Sequence, residues 1–162
     1  MSLKSEVSEI REMSLHTAYR PVGIALQIVG TPIFTLSGGP VLIEAFFMHA
    51  EAAMGAASSF QVTACGVVME NAAVVCNLLI GEMAVWPLTT GAGNVIVPNI
   101  AASPNPPLAS ELLGVNKLLV APGAAAGNNF VCTVAAVICP ANTVAFYCVY
   151  RKLRPQSLIS PV

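Results

Sequence analysis

The sequence predicts an all-β protein built as an antiparallel β-sandwich, and three observations point there. Short apolar runs rich in Val, Ile, Phe and Thr recur along the chain, the composition that suits pleated, half-buried strands. Turn signals separate them at Gly30-Thr31-Pro32, Ser37-Gly38-Gly39-Pro40, Thr89-Thr90-Gly91-Ala92-Gly93-Asn94 and Pro140-Ala141-Asn142. Helical periodicity is weak beyond residues 1–15. The organisation expected is a docking arm at 1–20, a sandwich domain at 21–155 and a tail at 156–162.

In the arm, Leu3, Val7 and Ile10 fall at i, i+4 and i+7, one short apolar helical stripe flanked by charges. They are candidate contacts to a neighbouring subunit; a frayed terminus is the alternative, because isolated helices this short are marginal. Val22–Val29, Pro32–Leu36, Val41–Met48, Phe60–Cys65, Val67–Met69 and Ala73–Ile80 follow as expected strands. Val95–Ile100 is the next, then Ser103-Pro104-Asn105-Pro106-Pro107 as a loop that cannot pair centrally. Lys117–Ala121 is a strand closed by Pro122-Gly123, and Ala124–Asn129 is a loop. The segments 44–54 and 108–113 read as strand or helix, since Ala, Met, Glu and Leu also favour helix. Asn129–Cys139 and Thr143–Leu153 are the best patterned strands. In the second, Phe146, Cys148 and Tyr150 share one face while Ala145, Tyr147, Val149 and Arg151 share the other, which predicts burial on both sides.

Charge is scarce: 9% of residues are charged and 56% apolar, against about 25% and 45–50% in ordinary soluble domains. There is no Asp, the net charge is −1, and between Pro21 and Tyr150 the charges are Glu44, Glu51, Glu70, Glu82, Glu111 and Lys117 alone. Such a surface is tolerated when other protein covers it or when it faces lipid. The charge-free run Phe130–Tyr150 is broken by Pro140-Ala141-Asn142-Thr143, and Pro21–Ile43 by its Gly-Pro turns, so no membrane partner is expected. Seven Lys and Arg residues are too few for a phosphate-tracking stripe, so no nucleic acid is expected either. The cluster Arg151-Lys152-Leu153-Arg154 reads as a solvated strand end or an ion-pair site, with Arg151 and Arg154 as candidate interface residues. Trp86, before Pro87, is a candidate interface anchor or an ordinary core residue.

The chemistry the sequence offers is thin. Five cysteines, Cys65, Cys76, Cys132, Cys139 and Cys148, form no CxxC, and the polar opening MSLKSEVSEIREMS lacks a signal-peptide pattern. Reduced, buried thiols and a cytoplasmic site of synthesis are the expectation. His49-Ala50-Glu51 matches the H-x-E piece of zinc deaminases, but the downstream P-C-x-x-C is missing, because Cys139-Pro140 runs in the opposite order. His16 is the other histidine, and no Asp stands by to orient either. No phosphate loop, dinucleotide fingerprint or nucleophile elbow occurs. No catalytic residue, metal or cofactor is predicted, and the protein is not expected to be an enzyme.

Two phrases resemble a known family. Thr31-Pro32-Ile33-Phe34-Thr35-Leu36-Ser37-Gly38-Gly39-Pro40-Val41-Leu42-Ile43 looks like the opening strands, and Tyr147-Cys148-Val149-Tyr150-Arg151-Lys152-Leu153-Arg154-Pro155 like the closing strand, of small virion proteins of tailed bacteriophages. The resemblance, over about residues 30–50 and 115–155, is to capsid decoration (cement) proteins with a jelly-roll-like β domain. It implies a homotrimer on the capsid surface of the virion, with the major capsid protein as partner and an arm gripping it. A head-fibre base or tail protein is the alternative, and a small membrane pore former a more distant one.

Overall fold

The computed structural model describes residues 14–56, 58–69, 74–86, 88, 117–123, 127–135 and 139–162. The expectations for Leu3, Val7 and Ile10, for the turn at 89–94, the strand at 95–100, the loop at 103–107 and the segment 108–113 lie outside these residues. Eleven strands are described: β1 Leu15–Arg20, β2 Thr31–Ser37, β3 Val41–Ala50, β4 Ser58–Ala64, β5 Val67–Val68, β6 Val74–Cys76, β7 Met83–Trp86, β8 Leu118–Val120, β9 Asn129–Ala135, β10 Val144–Lys152 and β11 Leu158–Pro161.

They form two antiparallel sheets. The first runs β1-β10-β3-β7, with β8 sharing the same edge of β3 as β7; the second runs β11-β2-β9-β4-β5, with β6 beside β5 on β4. The pairs β1·β10, β2·β9, β3·β7 and β4 with β5 and β6 are nested. The chain is therefore an antiparallel ribbon wound so that successive pairs alternate between the sheets. That winding is a jelly roll, with β8 and β11 added to its eight-strand plan. The β-sandwich expected from the sequence is the fold.

Alternation within each strand sends one set of side chains between the sheets. Phe46, Met48, Phe146, Cys148, Ala84 and Trp86 from the first sheet meet Phe34, Leu36, Phe60, Val62, Phe130 and Cys132 from the second, all buried. Phe46 is the hub. Its ring lies 5.3 Å from Trp86 and 6.3 Å from Phe34, both edge-on, and 6.4 Å from Phe130 and 6.1 Å from Phe146. Edge-to-face rings gain on top of their buried area. At the margin where β1 and β11 meet, Tyr150 Oη accepts from the Ile159 amide (3.2 Å) and Arg20 Nε donates to the Val162 carbonyl (3.4 Å), linking the two sheets.

Several expected segments differ in the structure. Residues 15–20 belong to the sheet rather than to an arm, because His16, Ala18 and Arg20 face inward and the strand pairs with β10 along its length. The tail at 156–162 contains β11, which extends the second sheet beside β2. Val22–Val29 is not a strand. Gly23 and Gly30 take positive φ, the Gly30 amide turns back to Gln27 O (3.2 Å), and the Gln27 amide is taken by Thr31 Oγ1 (2.9 Å). Only Leu26 is bridged, to Cys139, and it plugs the core. Among the described residues of the expected Ala73–Ile80, Val74–Cys76 alone is strand. The segment 44–54 resolves to strand as far as Ala50.

Candidate interaction surface

The outer face of the first sheet is the surface with most to explain. The positions not used by the core on β1, β10, β3, β7 and β8 form rows running across the strands, fixed by register. Ala145, His49 and Met83 make one row; Tyr19, Tyr147, Phe47 and Val85 the next; Thr17, Val149 and Ala45 the third; Leu15, Arg151, Leu42 and Leu119 the last. The second row is an aromatic ridge. Tyr147 stacks on Phe47 at 4.8 Å with the ring planes 9° apart, and Tyr19 lies 4.8 Å from Tyr147 on the other side. Burial, the neighbouring Tyr19 and the Glu51 carboxylate together push the Tyr147 phenol above its usual value. The third row is a trough of small side chains. Leu15, Tyr19 and Leu119 are 55%, 44% and 61% exposed, far more than such side chains retain in a core.

Polar groups sit at the two ends of this face. At one end the pairing of β3 with β10 slips by a residue between Ala45 and Ile43, leaving Glu44 as the extra residue of a β-bulge. The bulge aims its carboxylate at two cations. Arg151 Nε donates to Glu44 Oε1 at 2.6 Å, and Lys117 Nζ reaches Oε2 at 2.9 Å. Burial acts to raise the Glu44 pKa, and the hydrogen bonds from Lys117 and Arg151 outweigh it, holding the carboxyl below its ordinary range. At the other end His49 Nδ1 lies 3.1 Å from Glu51 Oε1, and Glu82 accepts from the Leu79 amide at 2.8 Å.

The predicted site residues separate. Arg151 stands on the face and in the Glu44 cluster. Arg154 is exposed in the turn beyond β10, its side chain against Gly39. Trp86 is in the core, 1% exposed and edge-on to Phe46, which accounts for it as packing. Tyr19, Phe47 and Glu44 were not singled out from sequence. The outward set of β10 was legible as alternation, but Phe46-Phe47 gives no sign of which ring faces out.

No family model, curated protein or solved structure matches this chain. Its chemistry is therefore read from its own groups. Among the described residues no three His, Cys or Glu side chains gather as a metal site. Cys65, Cys132, Cys139 and Cys148 are buried and form no disulfide. Burial raises Cys65 to about 11 and shifts Cys139 and Cys148 in the same direction, away from the thiolate that nucleophilic chemistry needs. His49 Nδ1 and Glu51 Oε1 stand within hydrogen-bond distance of each other. No described helix is long and apolar enough to cross a membrane.

Proposed function

We propose that this chain is a structural virion protein that decorates and cements a bacteriophage capsid, with the major capsid protein and further copies of itself as partners. The observation behind this reading is the outer face of the first sheet: exposed aliphatic residues around an aromatic ridge, with the nearby charges of Glu44, Arg151 and Lys117 drawn into one ion-paired cluster. An apolar, charge-poor face on a sandwich suits burial against protein. The charge-poor composition and the two phage-like phrases agree with it, and viral capsid domains are among the uses of this architecture. Fold alone does not assign function, so the weight rests on the face.

The mechanism is additive burial. Each 100 Å² of apolar surface covered between subunits contributes on the order of 2.5 kcal/mol before association costs. Repeated around a shell, a modest contact becomes a clamp. The chain acts by covering surface, and the residues before Leu15 are assigned to docking on the shell. The test is to compare heat-challenged particles made with and without this chain. Heads lacking it should rupture at a lower temperature and regain resistance when the purified chain is added. Unchanged resistance, with the chain recovered on the tail, would overturn the cement role.

A further inference from the structure

Two buried nitrogens lie unsatisfied at the margin where β1 and β11 close the sandwich. On the inner face of β1, His16 Nε2 and Arg20 Nη2 are both sealed from solvent and have no hydrogen-bond partner among the described residues. Each forgoes a hydrogen bond that water would supply if the margin opened. The element that covers them is slight. β11 has four residues, pairs only with β2 and buries a single side chain, Ile159. Across the margin it is tied by the two bonds already described, from the Ile159 amide to Tyr150 Oη and from Arg20 Nε to the Val162 carbonyl.

His16 supports the first of these ties. It stands opposite Tyr150 in the register of β1 with β10, and the two rings lie 5.5 Å apart at 33°. A neutral imidazole packs there as a largely apolar ring. A protonated one carries a second N–H and a full charge into a margin that offers it only cations. Arg20 shares its face of β1; β10 contributes Lys152 and the neutral Tyr150 phenol; β11 has no titratable side chain. The described carboxylates are engaged elsewhere, Glu44 with Lys117 and Arg151, Glu51 with His49, and Glu82 with the Leu79 amide. Burial first, and Lys152 second, hold the His16 pKa below its ordinary value.

We infer that β11 is an acid-released strap, held shut by neutral His16 through Tyr150 and let go when His16 takes up a proton. The charged ring turns out to water, the Tyr150 ring loses its packing, and the bond to the Ile159 amide goes with it. Because the closed margin disfavours the proton, the strap is fully held above the ordinary histidine range and loosens as pH falls through it. Opening is local and uncovers the edge of β2 that β11 occupies. The device does not depend on the cement role.

Hydrogen exchange of the full chain, resolved by NMR and expressed as protection relative to the intrinsic rate at each pH, tests it. Between about pH 7.5 and about pH 5, the span of an ordinary histidine titration, protection of the Ile159 and Val162 amides should fall several-fold. Amides of Phe46 and Cys148, central in the first sheet, should keep theirs. His16→Phe leaves a ring against Tyr150 that cannot titrate, so Ile159 should stay protected across the same span. Tyr150→Phe keeps the ring and removes the acceptor, and should leave Ile159 poorly protected at both ends. Lys152→Met removes the neighbouring cation and should reduce the acid-driven loss. Wild-type protection that ignores pH, a loss that survives in His16→Phe, or a loss shared equally by β3 and β10 would overturn the inference.

Discussion

Replacing Phe46 by Ala removes the ring that four other aromatic side chains touch, and its cost can be worked from the packing. Phe46 is fully buried, with Trp86 and Phe34 edge-on, Phe130 parallel and Phe146 tilted, all within 6.4 Å. Deleting a buried Phe ring costs about 3–5 kcal/mol through lost transfer energy and the cavity left behind. The hole here opens between two hydrogen-bonded sheets that cannot close on it, so the upper part of that range, about 4 kcal/mol, is expected. At about 2–4 °C per kcal/mol for a chain of this size, the midpoint should fall by about 8–16 °C. Thermal denaturation followed by fluorescence reads this directly, because Trp86 is the only tryptophan and its ring lies 5.3 Å from Phe46. The neighbouring Phe47→Ala is the control. Phe47 faces outward, so in dilute protein its removal should cost under about 1.5 kcal/mol. A Phe46→Ala loss below about 1 kcal/mol, or equal losses at the two positions, would refute the assignment of inner and outer faces.

Gly38 takes φ +75 at the end of β2, and a Cβ there would collide with the Gln156 carbonyl, so Gly38→Ala should destabilise by about 2 kcal/mol or more in urea unfolding. Glu44→Gln should cost about 1–2 kcal/mol, a range reduced because Lys117 and Arg151 are partly exposed. The Glu44 contribution is present at pH above the ordinary carboxylate range and is lost as pH falls through its lowered pKa. The wild-type advantage over Glu44→Gln should therefore shrink in acid, and an advantage that grew there would contradict the cluster. Cys65, Cys132, Cys139 and Cys148 should resist alkylation at pH 8 until the chain is unfolded, as mass spectrometry would show.

The sandwich was legible because the segments of β9 and β10 carry the best strand pattern and because Gly and Pro turns bound the apolar runs. What escaped did so for identifiable physical reasons. Val22–Val29 has β-prone composition but no alternation, and the glycines at its margins give its amides turn partners instead of a ladder. Leu15–Arg20 looked like the end of a charged arm because Arg20 is buried, an inward placement that composition argues against. β11 is too short to stand out, and it is held by pairing with β2 that no local pattern announces. The interaction face was half legible. Tyr147, Val149 and Arg151 were read as one side of a strand, but the row in which Tyr147 meets Tyr19 and Phe47 exists only through cross-strand register. Glu44 could not be placed at all before the bulge that turns it toward Arg151 and Lys117 was known.

The proposed cement role requires this jelly roll to be covered by protein in a capsid. Cryo-electron microscopy of phage heads assembled with and without the chain decides it. Added density for the sandwich is expected on the head, seated on the capsid protein, with the surface around Tyr19, Phe47 and Tyr147 buried against other protein. Heads without that density, or a bound chain whose aromatic ridge stands open to solvent, would contradict it.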